Sequence, residues 1–219
     1  MTIEEIFAKG GPVVWILFGY SLVAVTLLIE RLINFALLGR PPRELENELG
    51  VALRNNTAAD LVANVRGPEA VIVRGMLAAS AAGVKDLSRV AVRIGSEELQ
   101  RMERGFRTLG VLGNTAPLLG LFGTITGMIK AFMVIEQAGG KVDAQALAGG
   151  IWEAMITTGV GLAVAIPILL LLHVLEGMAD RRAQVMRSYA SVVLEQLPHM
   201  TVCDDDQPVH HREGVVHAV

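Results

Sequence analysis

Aromatic side chains make up only 5% of this 219-residue chain, charged ones only 19%, and cysteine occurs once. The apolar share is nonetheless 52% and the mean hydropathy +0.48. A chain so aliphatic and so poor in charge is unlike an ordinary soluble domain, and membrane residence is expected. The single cysteine, Cys203, lies in a polar tail, which excludes an intrachain disulfide framework and spells out no thiolate metal site. The formal net charge is −3 with no dense block of lysine and arginine, so nucleic acid is not an expected partner. A His-Glu-x-x-His pair, a Gly-x-Ser-x-Gly elbow and a phosphate-binding glycine loop with lysine are also missing. Neither an enzymatic activity nor a cofactor is therefore expected.

What the chain does contain is three long runs with almost no charge. Pro12 to Ile29 gives eighteen uncharged residues, and Leu32 to Leu38 extends the run beyond Glu30 and Arg31. A secretory signal peptide is the rival reading, but the small-residue cleavage pattern is missing and two charges follow directly. Thr108 to Ile129 gives twenty-two uncharged residues containing Gly110, Gly113, Gly120, Gly123, Gly127 and Pro117. In water those residues oppose a helix; in a bilayer they let helices approach closely. Ala144 to Leu172 gives twenty-nine residues with one charge, Glu153, and includes Pro167. Each run is long enough to span.

Of nineteen lysines and arginines, twelve fall within Arg31 to Arg107 and four after residue 180, leaving Lys9, Lys130 and Lys141. The positive-inside rule then puts the N-terminus and the Glu136 to Asp143 loop outside, and the long intervening segment and the C-terminal tail in the cytoplasm.

In the cytoplasmic parts, Pro41 and Pro42 are expected to end the first helix, and Leu45, Leu49 and Leu53 mark a short amphipathic helix. Thr57 with Asp60 resembles a helix start, Gly67-Pro68 closes that piece, and an alanine-rich helix follows from Glu69 to Ala82. Val90, Ile94, Met102, Phe106 and Leu109 form a stripe that predicts one unbroken helix running into the second span. Leu175, Met178, Val185, Tyr189 and Val192 continue the third span in the same manner until Pro198. Such stripes need cover, from each other or from other copies of the chain, so self-association is expected. The tail with Asp204 to Asp206, His210, His211 and His217 lacks zinc-ligand spacing and reads as disordered, with no metal site.

Glu153 is the only acidic residue within any of the long uncharged runs, and ionisable groups in a membrane face a bundle interior, a wet path or a partner. Gly149, Glu153, Thr157, Gly161 and Ala165 recur every four residues as a small, polar ridge, with Thr158 on an adjoining face. On the second span Thr115, Thr124 and Thr126 supply hydroxyls that can face this ridge. Because Ala154 to Leu172 alone gives nineteen uncharged residues, Glu153 is either a buried functional group or a carboxylate at the interface. For the threonines the plain alternative is a bond to their own helix backbone.

Two segments resemble the ExbB/TolQ/MotA proton-channel family, in its three-span ExbB and TolQ branch. Ala116-Pro117-Leu118-Leu119-Gly120-Leu121-Phe122-Gly123-Thr124-Ile125-Thr126-Gly127-Met128 is similar to the second-span motif of that family. Gly150-Ile151-Trp152-Glu153-Ala154-Met155-Ile156-Thr157-Thr158-Gly159-Val160-Gly161-Leu162, with Ala165-Ile166-Pro167 after it, resembles the third-span motif.

The resemblance implies an all-α integral membrane protein of the bacterial inner membrane, with long cytoplasmic extensions of spans two and three, assembled as a homopentamer around two single-span ExbD- or TolR-like partners. Glu153, Thr124 and Thr158 match the polar pore positions of the family, with Thr157 beside them. Gly120, Gly123, Gly149, Gly161, Pro117 and Pro167 are the expected helix-packing positions. The implied role is to convert a proton gradient into work on a TonB- or TolA-like partner. The alternatives are a TolQ-like or gliding-motility subunit, a sodium-driven version, and a non-conducting scaffold. The expected organisation is a periplasmic N-terminus over 1–11, membrane helices over 12–38, 108–135 and 144–174, a cytoplasmic segment over 39–107, a periplasmic loop over 136–145, a cytoplasmic helix over 175–197 and a disordered tail over 198–219.

Overall fold

The computed structural model describes residues 11–38, 44–63, 65–137 and 144–202. Among them the regular structure is all helical: α1 (Gly11–Leu37), α2 (Glu44–Arg54), α3 (Ala58–Ala63), α4 (Pro68–Ala81), α5 (Leu87–Met102), α6 (Phe106–Gln137) and α7 (Ala144–Val202). α1, α6 and the Leu147–Leu197 part of α7 are long and apolar enough to cross a membrane. The first ten residues, Pro41 and Pro42, most of the expected outer loop, and the tail with Cys203 and its histidines lie outside the described residues.

The chain divides into two compact units, one of residues 1–39 with 100–181, the other of residues 40–99 with 182–219. The first is a three-helix bundle whose packing inverts that of a soluble protein. On α6 the buried face is Leu109, Gly113, Ala116, Gly120, Gly123, Gly127 and Ala131, advancing by three and four residues as a single helix face does. Large side chains point outward instead: Leu118, Phe122 and Ile125 on α6, Trp15 and Leu22 on α1, and Met155 and Leu170 on α7 are all exposed. Where the surroundings are lipid tails, apolar side chains gain little by leaving them. Close backbone contact through small residues holds such helices together instead. Val13 and Leu17 of α1, Ala116 of α6 and Ala165 of α7 form a buried apolar cluster to which all three helices contribute.

The expected unbroken helix into the second span is interrupted. Residues 103–105 form a turn between α5 and α6, with Gly105 at φ +89°, a conformation costly for any residue with a Cβ. The Phe106 amide donates to the Glu103 carbonyl at 2.9 Å, and the Phe106 ring stacks on Phe35 of α1 at 6.5 Å. Buried Arg31 donates to the Arg101 carbonyl at 3.4 Å, satisfying one of the last carbonyls of α5, and to Glu30 at 2.8 Å. The stripe drawn from Val90 to Leu109 therefore belongs to two helices.

In the second unit Leu49, Leu53, Val62, Val73, Met76, Met186, Tyr189 and Val193 are buried. Arg74 donates to the Val62 carbonyl at 3.2 Å, close to the C-terminal end of α3. Thr57 donates its hydroxyl to the Ala52 carbonyl at 3.4 Å, tying the start of α3 back to α2. The buried face of α7 here is Arg182, Ala183, Met186, Tyr189, Ala190 and Val193: Tyr189 of the sequence stripe is buried as expected, whereas Val185 and Val192 are only partly so. Arg182 donates to Glu69 of α4 at 2.6 Å, and both side chains are almost fully buried.

Candidate ion-pathway site at the head of the helix bundle

α1 and α7 begin, and α6 ends, at the same end of the first unit, here called the head. Glu153, near the start of α7, lies there. Its Oε1 accepts from Lys130 Nζ of α6 at 3.2 Å, an ion pair between two helices with side-chain exposures of 28% for Glu153 and 59% for Lys130. The same oxygen lies 2.9 Å from where a Cβ on Gly11 would stand. Gly11 is the first residue of α1 and has φ +62°, so a residue without a Cβ there suits both its own backbone and the neighbouring carboxylate. The carboxylate is thereby held between the last turns of α6 and the N-terminal, partially positive end of α1.

Around and below this pair the two helices touch along a seam of small residues. Gly127 abuts Ala154, and Gly150 abuts Ala131. A Cβ at Gly123 would lie 2.6 Å from the Thr157 side chain, and one at Gly120 would lie 3.0 Å from the Thr157 carbonyl and the Thr158 Cα. Gly161 in turn faces the Ala116 carbonyl and Gly120. Each advance along α6 is matched by a step back along α7, as antiparallel helices require.

The sequence-derived site residues take distinct places in this frame. Thr157 is 1% exposed, sits against Gly123 and donates to the Ala154 carbonyl at 2.8 Å. Thr158 donates across the seam to the Gly120 carbonyl at 3.1 Å. Thr124, half-buried on α6, donates to the Leu121 carbonyl of its own helix at 2.6 Å, and Thr115 and Thr126 bond their own helix likewise. Gly120, Gly123 and Gly161 lie in the seam, whereas a Cβ on Gly149 would meet nothing within 4 Å. Pro117 is half-buried within α6, and Pro167 is exposed within α7.

A ridge of every fourth residue drifts about 40° per step around a helix of 3.6 residues per turn. This is why Thr157, Gly161 and Ala165 are buried while Glu153 is only half so and Gly149 is exposed. Higher on α7 the contact face passes to Gly150 and Ala154.

Lys130 escaped the sequence reading, where it served only in the count of charges between helices. The signal that finds it is register: continuing the Gly120, Gly123 and Gly127 contacts by one turn brings α6 opposite Glu153.

Three apolar helices packed through glycines, with the Glu153 carboxylate at their head, define a multi-pass membrane protein carrying an ionisable group among polar residues. A model of the MotA/TolQ/ExbB proton channel family matches residues 64–188, and the chain belongs to that family. The biopolymer transport protein exbB1 of Vibrio cholerae is 30% identical over 210 residues, covering 93% of this chain and 92% of that protein. A Synechocystis biopolymer transport protein designated ExbB-like 1 is 34% identical over 194 residues, covering 85% and 74%. The biopolymer transport protein ExbB of Neisseria gonorrhoeae is 28% identical over 188 residues, covering 78% and 85%.

Proposed function

We propose that the chain is the proton-channel and stator subunit of an inner-membrane motor, ExbB-like, which converts proton motive force into mechanical work on a periplasm-spanning, TonB-like partner. The observation that carries this reading is the head of the bundle, where Glu153 is held by Lys130 beside a close-packed seam containing Thr157 and Thr158. A carboxylate is kept in an apolar helix only where it is paired or hydrated, and such groups mark ion routes. Glu153, Thr124, Thr157 and Thr158 form the pathway, with Glu153 polarising it rather than necessarily carrying the proton. The names of the relatives favour biopolymer transport over the envelope-integrity and gliding alternatives.

In this reading the chain forms a homopentamer around a pair of ExbD- or TolR-like single-span subunits, with the N-terminus periplasmic and the C-terminus cytoplasmic. Exposed large side chains on all three spans, such as Trp15, Phe122 and Met155, support contact with lipid and neighbouring copies. One charge crossing about 100 mV releases roughly 2.3 kcal/mol, enough to bias two arrangements of helices.

The test is proton flux through complexes purified by way of this chain from its host and reconstituted in vesicles under an imposed gradient. Glu153→Gln and Glu153→Ala are expected to lose most of the flux while the complex still assembles. Full gradient-driven flux in both variants defeats the reading. The Lys130 pairing favours a second reading, a non-conducting scaffold in which Glu153 only fastens two helices, and that reading requires no gradient-dependent flux even in the unaltered complex.

A further inference from the structure

Lys130 stands between two of the closest small-residue contacts of the seam, Gly127 on Ala154 and Ala131 on Gly150. Those contacts bring α6 and α7 together at the level where the lysine must reach across, so its flexible side chain spans the gap to Glu153 at 3.2 Å. Among the described residues, Lys130 is the cationic partner of that carboxylate. Gly11 of α1, having no Cβ, leaves room beside Oε1, and on α7 the immediate neighbours of Glu153 are Trp152 and Ala154, which offer no cationic side chain. The Lys130 ammonium reaches Oε1, the same oxygen that lies beside Gly11.

We propose that Lys130 is a positioning residue for Glu153: its ammonium keeps the carboxylate turned toward α6 at the head of the bundle, and Glu153 engages any other charged group only by releasing Lys130. The inference rests on the reading of Glu153 as part of the ion pathway. Each exchange at the head then begins with the opening of an ion pair. With the lysine more than half exposed, the pair is weak enough to open at every cycle, yet it fixes where the carboxylate waits. A lysine serves this better than an arginine would, because its point charge binds without the two-toothed grip that would slow release.

The test reads Glu153 directly and the flux separately. In the intact complex, a membrane-permeant carbodiimide is applied and the modified Glu153 peptide is quantified by mass spectrometry. Lys130→Met is expected to raise the rate of modification about two- to fivefold, the range set by an exposed pair, while Lys130→Arg stays near the unaltered rate. Lys130→Gln removes the charge with a polar head and serves where the methionine variant fails to assemble. An unchanged modification rate in the charge-removing variant overturns the proposal. Reconstituted flux is then compared for Lys130→Met and Glu153→Gln. Reduced flux in both supports the positioning role. Impaired flux in Glu153→Gln with normal flux in Lys130→Met defeats the positioning role alone. Normal flux in Glu153→Gln, matched by normal flux in Glu153→Ala, defeats the pathway reading on which it rests, whatever the labelling shows.

Discussion

Gly120 and Thr158 meet in the seam between α6 and α7: the Thr158 hydroxyl donates to the Gly120 carbonyl at 3.1 Å, and a Cβ on Gly120 would stand 3.0 Å from the Thr158 Cα. The same approach thus creates an interhelix hydrogen bond and forbids a side chain on one of its partners.

Gly120→Ala is expected to destabilise the bundle by about 1–3 kcal/mol, because the new methyl meets backbone that cannot swing aside. A lower melting temperature of the purified chain in detergent checks this. Gly149→Ala is the control, since nothing lies within 4 Å of that position, and it is expected to leave the melting temperature unchanged.

Thr158→Val keeps the shape of the side chain and removes the donor to Gly120. The loss is expected to be about 1 kcal/mol, the net value of one such bond. Thr158→Ser retains the donor and is expected to melt closer to the unaltered chain. Equal melting of the valine and serine variants would show that the bond contributes nothing.

Glu69 and Arg182 form a buried ion pair at 2.6 Å in the second unit. Removing one partner breaks the pair and leaves the other charge buried, so Glu69→Ala and Arg182→Ala are each expected to cost about 3–5 kcal/mol. Replacing both together, as Glu69→Leu with Arg182→Met, is expected to cost less than either single change. Chemical denaturation followed by helix content decides between these orders.

Arg31→Met leaves the Arg101 carbonyl and Glu30 without their guanidinium donor. The expected effect is looser anchoring of the turn at residues 103–105, at a cost of about 1–3 kcal/mol. Limited proteolysis is expected to cut there faster than in the unaltered chain, and an unchanged cleavage rate would remove Arg31 from that role.

Much of the membrane architecture is legible from composition. The three uncharged runs are a consequence of solvation alone, since every backbone group in lipid must bond within its own helix and every charge there is costly. Of the second-span glycines, Gly120, Gly123 and Gly127 lie in the seam, because small residues there leave the backbones room to meet. The break before α6 was hidden because the stripe from Val90 to Leu109 keeps helical spacing through Gly105. A stripe records which side chains are apolar and says nothing of a single positive φ.

The sequence by itself determined that this chain has three runs long and apolar enough to span, that the second is rich in small residues, and that the third carries a lone carboxylate, because hydropathy and residue size act locally along the chain. Only the tertiary structure decided what that carboxylate faces. Lys130 lies twenty-three residues earlier and Gly11 on another helix, and their convergence on Glu153 depends on the register at which two antiparallel helices lock through their glycines. The same holds for Arg182 and Glu69, separated by 113 residues. Neither charge carries a local sign of its partner, because a buried ion pair is fixed by packing between helices rather than by the spacing within one.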